Sequence, residues 1–234
     1  ILGLEAGYGF TSSVFSANIN LYRTSWKDRV VSSSNVVDDV LTFTTNFGTE
    51  QLHSGVELDF KLRPTNELSF NGFLSVGDWV YQGEAVTQIS DDDRNVSSLE
   101  TVDYDGGKVG GAAQLSGGLG FAYKISKNFS LDSDWRYYDN LYSDVGAIKE
   151  NLKLPSYNLL DAGLTFKVPL GVDKLKQLKI RGNINNLFDT EYLSSLTTSN
   201  FAEAGDTLYD GIAVSNQGYF GWGRTWNVTL RYEF

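Results

Sequence analysis

Between residues 220 and 234 the chain reads FGWGRTWNVTLRYEF. Trp222, Trp226, Val228, Leu230, Tyr232 and Phe234 fall on one parity, and Gly223, Thr225, Asn227, Thr229, Arg231 and Glu233 on the other. Arg224 alone breaks the apolar row. A period of two with this contrast describes a strand that has one face in an apolar medium and one in a polar medium. The pattern recurs along the chain and predicts nine strands, over residues 1–10, 13–27, 52–63, 68–81, 108–124, 129–138, 157–168, 178–188 and 221–234. Phe15, Ala17, Ile19 and Leu21 oppose Ser16, Asn18 and Asn20. Val56, Leu58, Phe60 and Leu62 oppose Glu57, Asp59, Lys61 and Arg63, and Leu131 and Trp135 oppose Asp132, Asp134 and Arg136. A helix, with its 3.6-residue period, cannot satisfy this parity.

The connections alternate in length. Short turns are expected at 11–12, 64–67, 125–128 and 169–177, and long polar loops at 28–51, 82–107, 139–156 and 189–220. Short turns on one rim and long loops on the other are the asymmetry of a bacterial outer-membrane barrel, with turns in the periplasm and loops outside the cell. A soluble sandwich does not sort its loops this way, and loops of more than about 15 residues are uncommon in compact domains. The last strand would then descend from an outer loop and leave the C-terminus in the periplasm.

Composition agrees with that class and excludes others. Only 41% of the 234 residues are of hydrophobic type and the mean hydropathy is −0.24. No run approaches the roughly 18 apolar residues of a transmembrane helix. A barrel hides its membrane span in such an average, because the lumen-facing half of each strand is polar. The absence of Cys leaves no disulfide framework and no thiolate chemistry. A net charge of −10 argues against a nucleic-acid partner, which needs a basic surface. Ile1 opens directly into an alternating segment, without a signal peptide or any Met. The chain therefore reads as starting inside a longer protein. An odd number of strands points the same way, since an open edge in lipid strands backbone polar groups at several kcal/mol each. The remaining strands are expected to precede Ile1.

Three segments carry a family resemblance. GNINNLFDTEYL, Gly182 to Leu193, resembles the penultimate strand of TonB-dependent outer-membrane receptors. RTWNVTLRYEF, Arg224 to Phe234, resembles their final strand, and SGVELDFKLRPTNELSFNG, Ser54 to Gly72, a downward strand, periplasmic turn and upward strand. The resemblance implies an all-β, antiparallel transmembrane barrel of 22 strands closed by an N-terminal plug. Residues 1–234 would be its C-terminal part, a single barrel domain lacking the plug and earlier strands. It further implies active uptake of a scarce, bulky nutrient such as a ferric siderophore, another chelate, an oligosaccharide or a peptide. The implied partners are TonB through the plug region, outer-membrane lipid and the barrel assembly machinery, with a surface lipoprotein as a further candidate. Leu230, Tyr232 and Phe234 would form the assembly signal. The competing classes are a passive porin, an autotransporter translocator and a secreted β-rich adhesin.

No catalytic constellation, cofactor motif or metal site is expected. His53 is the only histidine and has no Cys beside it, so it is expected to be a solvated or lumen-rim residue rather than a zinc ligand. Asp91, Asp92 and Asp93 lack the spacing of a calcium loop. Asp59, Asp132 and Asp134 share the hydrated face with Lys61 and Arg136, where cross-strand charge pairing accounts for them. Asn183, Asn185 and Asp189 are expected to shape the passage from strand to loop, with Asp189 capping the turn. Aromatic residues gather near both rims, as in the girdles of membrane barrels. Tyr22, Trp26, Trp79 and Tyr138 nevertheless have lumen parity. They are the ligand-contact candidates at the outer mouth.

Overall fold

The computed structural model describes residues 1–37, 40–170 and 177–233. It contains β1 (Leu2–Thr11), β2 (Phe15–Val37), β3 (Val40–Leu62), β4 (Leu68–Gln82), β5 (Glu84–Ser90), β6 (Val96–Asp103), β7 (Leu115–Lys124) and β8 (Phe129–Asp139). These are followed by β9 (Tyr157–Pro169), β10 (Gln177–Asn185), β11 (Leu193–Leu196), β12 (Leu208–Tyr209), β13 (Ile212–Ala213), β14 (Gly218–Phe220) and β15 (Thr225–Glu233). Among the described residues there is no helix. The main sheet runs β1-β2-β3-β4-β7-β8-β9-β10-β15, each strand antiparallel to the next, with its two ends unjoined. The nine strands on this path are those the alternation predicts, β5 and β6 join the same sheet through β3, and the sheet is that of a partial barrel.

Register carries the two faces across every strand. One row reads Tyr8, Ile19, Leu58, Leu74, Gly117 and Tyr137. Another reads Phe129, Phe166, Ile180 and Leu230. On the opposite face Asn18, Asp59, Phe73, Gly118 and Arg136 form one row. A one-residue slip anywhere would mix the faces, so the agreement of all eight pairings along this path is itself a constraint on register. The apolar face is bare: Leu119, Val228 and Leu230 keep 57%, 59% and 66% of their surface exposed. A continuous apolar surface of this kind requires a partner, and for a sheet of this parity the partner is lipid.

The short turns at 11–12, 64–67 and 125–128 are present as expected, and the fourth falls largely on residues outside the description. The long loops differ from expectation. Residues 28–37 and 40–51 extend β2 and β3 as a paired hairpin, and residues 82–107 contain the hairpin β5-β6, whose first strand pairs with β3. Alternation there is weak because Ser and Thr replace the apolar contrast. Residues 108–114 are irregular rather than strand, β10 stops at Asn185, and β15 starts at Thr225. The loops also pack. Leu141, Leu152, Leu154, Leu193, Leu196 and Ile212 form one core, and Tyr81, Ala85, Tyr104, Val109 and Ala147 another. A buried chain of hydrogen bonds joins Thr87, Tyr104 and Asn46 to the carbonyl of Ala147. Asp91 closes the β5-β6 tip by accepting from both nitrogens of Asn95, which holds its carboxyl below the usual range. The long-loop rim is thus a folded cap rather than a fringe of solvated chain.

Candidate functional site

Three aromatic rings stack across adjacent strands on the polar face, near the long-loop rim. Trp26 of β2, His53 of β3 and Trp79 of β4 lie 6.2 Å and 5.1 Å apart, with interplanar angles of 19° and 13°. The separations follow from the strand spacing of about 4.8 Å, which sets the distance between side chains on neighbouring strands. Trp79 Nε1 donates to the Tyr22 hydroxyl at 2.8 Å. Tyr22 reaches it across the paired glycines Gly55 and Gly77. A Cβ at Gly55 would stand 2.5 Å from Tyr22 Oη and 2.6 Å from the Val76 carbonyl oxygen. One at Gly77 would stand 2.7 Å from Trp79 Nε1. The glycines make the contact sterically feasible.

Above the stack, Asp28 adopts φ 56° and the β2-β3 register breaks between Trp26 and Arg29. This bulge turns Arg29 inward, where its guanidinium lies 4.9 Å from the Trp26 ring centroid and donates to Gln51 Oε1. Trp26 itself precedes the bulge and keeps the parity of the strand below it. His53 Nε2 is buried without a hydrogen-bond partner among the described residues. His53 thus keeps the lumen-rim place expected of it, but its ring is packed between two indoles rather than solvated. Its position between two indoles depends on register, which single-chain periodicity does not reveal. Below the rings a groove of about 350 Å³ is lined by Glu5, Asn20, Tyr22, Glu57 and Trp79, among others. A larger hollow of about 1050 Å³ lies among the short turns and adjoining strand ends, and Tyr123 is the one aromatic among the described residues of its lining.

Tyr138 is not part of this group. It belongs to β8, where its ring is 5.0 Å from Tyr157, which stacks at 4.1 Å on Tyr192. This second column leads into the loop core, against which Tyr157 also packs. The structure brings Tyr22, Trp26 and Trp79 together, adds His53 and Arg29, and leaves Tyr138 apart.

The charged residues of the polar face are largely engaged. Arg181 makes a bidentate pair with Asp132, at 2.6 and 2.7 Å, and also donates to Thr165. The pair spans from β8 to β10 over Gly163 of β9, where a Cβ would come within 2.5 Å of Asp132 Oδ2. Arg136 pairs with Asp161 rather than with Asp132. Asn18 donates to both oxygens of Asp59. Cross-strand charge pairing holds for Asp132, whose partner is Arg181; Asp59 instead accepts from the neutral Asn18, and Asp134 makes no ion pair or hydrogen bond among the described residues.

The NNLFDTEY element is a clasp. Asn186, at φ 51° and 4% exposed, donates its backbone N–H to Asp161 at 2.8 Å. Its side chain holds both the N–H and the carbonyl of Thr190 and donates to the carbonyl of Trp222. Asp189, also in the left-handed region, accepts from the Arg224 backbone at 2.7 Å. The two roots of the last loop are thereby tied to each other and to the polar face. Asn186→Ala is expected to destabilise this region by about 1–3 kcal/mol, the cost of orphaning buried backbone groups. Limited proteolysis should then cut faster within residues 193–220, and an unchanged digestion rate would contradict the clasp.

An antiparallel sheet with a lipid-compatible face, a polar face bearing ion pairs and aromatic rings, and a folded cap on one rim defines the wall of a membrane β-barrel. The model of the family described as TonB-dependent receptor-like, β-barrel, matches residues 2–187, and the chain belongs to that family. It is an outer-membrane β-barrel protein rather than a secreted adhesin. Solved structures share the fold. The copper transporter OprC aligns over 99% of this chain with TM-score 0.62 and 16% identity. The siderophore receptor PiuA of Acinetobacter baumannii aligns over 98% with TM-score 0.53 and 17% identity. The outer-membrane transporter YddB of Escherichia coli aligns over 98% with TM-score 0.57 and 14% identity. The chain spans about a third of each, 31%, 35% and 32% respectively. No curated protein sequence matches it.

Proposed function

We propose that residues 1–234 are the C-terminal part of a 22-stranded barrel that takes up a scarce, bulky nutrient across the outer membrane. The long-loop cap faces the outside and the short turns face the periplasm. In this reading a plug domain fills the lumen, and TonB, driven by the inner-membrane proton gradient, moves it. The barrel contributes binding rather than chemistry. The observation that carries the reading is the stacked group Trp26, His53 and Trp79 with Tyr22, standing on the lumen face directly beneath a packed cap. A wall that only enclosed water would not need rings held so closely by glycines, bulge and hydrogen bond. The named cargoes of the structural neighbours, copper and a siderophore, differ from one another, and at these identities neither is carried over to this chain.

The test is uptake by intact cells. A strain lacking the receptor is grown on a panel of iron sources, glycans and peptides as limiting nutrients, with and without a proton-gradient uncoupler. Loss of growth on one nutrient, and gradient-dependent accumulation of that nutrient when the gene is restored, is the expected result. Accumulation that survives the uncoupler would replace active transport with passive passage.

Assembly gives a second expected result. Leu230 and Tyr232 lie on the apolar face of β15, paired with Ile180 and Leu178, while Phe234 lies outside the described residues. Deleting Phe234, or changing Tyr232 and Phe234 to Ser, is expected to lower the outer-membrane level of the receptor. Fractionation measures it, and wild-type levels would remove this row from the assembly signal.

A further inference from the structure

We propose that the groove over β1 to β4 is a subsite for a saccharide ring that is neutral or amino-substituted. Trp79 and Tyr22 form its floor, and Glu5 and Glu57 are its hydrogen-bond acceptors. The proposal rests on the transporter reading and names the class of cargo that this part of the wall would take.

The argument starts from register. Glu5 of β1 pairs with Tyr22 of β2, and Asn20 of β2 pairs with Glu57 of β3. Two carboxylates therefore stand on either side of the Tyr22 strand, on the same face and offset by one same-face step, two residues, along it. Neither has an ion-pair or hydrogen-bond partner among the described residues. Asp132 and Asp161, by contrast, are ion-paired and Asp59 accepts from Asn18, while Asp134, also without a bond among the described residues, stands away from this groove. The nearby cation, Arg29, is occupied by Gln51 and the Trp26 ring and does not line the groove. The Tyr22 oxygen accepts from Trp79, which leaves its own proton to donate. Trp79 is fixed by that bond, by the His53 stack and by packing on the loop core, so the part of its ring that lines the groove is presented without further ordering cost. The groove, at about 350 Å³, is at the small end of ligand sites and suits one ring rather than a whole chelate.

These features select a ligand. Ionised carboxylates only accept hydrogen bonds, so they call for donors, which ring hydroxyls and ammonium groups supply. A flat indole and a phenol call for an apolar face or a cation above them. A sugar ring offers hydroxyl donors around an apolar face, and an amino sugar adds the cation. An anionic chelate would meet two carboxylates without a free cation, which selects against it. A bare copper ion would find no Cys or Met in this chain and one His, so a soft donor set is lacking.

The test uses the receptor purified from outer membranes in detergent, titrated by calorimetry and tryptophan fluorescence. The probes are a neutral glucose oligomer, a glucosamine oligomer, a galacturonate oligomer of equal length and a ferric catecholate. Saturable binding of the glucose or glucosamine oligomer, with none of the galacturonate, is expected. Trp79→Ala should weaken it by about tenfold, and Trp79→Phe, which keeps a ring, by less. Glu5→Gln combined with Glu57→Gln should erase discrimination against galacturonate. Absence of binding to both non-acidic oligomers, preference for galacturonate or the ferric catecholate, or indifference to both sets of variants overturns the proposal. Energised uptake of a ferric chelate by a receptor that ignores saccharides would overturn this subsite and leave the transporter reading standing. Saccharide binding in detergent without gradient-dependent uptake in cells would do the reverse.

Discussion

Arginine placed at Leu119, Ile184 or Val228 is expected to lower the stability of the receptor in bilayers by about 2 to 4 kcal/mol for sites near the midplane. All three lie on the apolar face. Leu119 pairs with Gly72 and Trp135, Ile184 with Ala162 and Trp226, and Val228 with Gly182. None of these neighbours offers a carboxylate, so the guanidinium would face hydrocarbon with nothing to neutralise it. Arginine at Asn18 or Thr229 points to the opposite face. At Asn18 it would stand across from Asp59 and find a counter-ion. At Thr229 it would stand beside Arg181, at a modest cost because the face is hydrated. Thermal melting of lipid-reconstituted receptor should separate the two groups of variants. Equal tolerance in both would mean that the faces are assigned the wrong way round.

Gly55→Ala is expected to disorganise the aromatic group while leaving the barrel assembled. The new methyl would lie 2.6 Å from the backbone oxygen of Val76 as well as 2.5 Å from the Tyr22 hydroxyl. A side-chain rotation alone cannot relieve a backbone contact, so the strands must shift or Tyr22 must leave, and either change breaks its bond to Trp79. Overpacking of this kind costs about 1–3 kcal/mol. Tyr22→Phe removes only the acceptor and is expected to cost about 1 kcal/mol. Near-ultraviolet circular dichroism reads the indole environments of Trp26 and Trp79 directly. The Gly55→Ala spectrum should flatten more than the Tyr22→Phe spectrum, and a wild-type spectrum for Gly55→Ala would show that the stack does not depend on the glycine pair.

The parity of each strand was legible in the chain because it is a local property. In a barrel wall, alternate residues meet lipid and water, so Phe15, Ala17, Ile19 and Leu21 against Ser16, Asn18 and Asn20 report their surroundings without reference to any other strand. That sufficed for nine strands, two faces, the short-turn rim and the lumen parity of Tyr22, Trp26, Trp79 and Tyr138. The turn expected of Asp189 is capped instead by Asn186, while the Asp189 carboxylate reaches Arg224 on the other root of the loop, a partner no local pattern names. Tertiary structure decided what depends on register and on water. Beyond the apolar band both faces of a hairpin are hydrated or packed on other loops, so residues 28–51 lose the contrast that marks a strand and read as loop. His53 became the centre of a stack, and Tyr138 left it, through pairings between strands that no single segment encodes. Gly55 and Gly163 illustrate the reason best. In sequence each is a gap in an alternating row. In the sheet each is the clearance across which side chains of the two flanking strands meet, and that meaning exists only once the neighbours are in place.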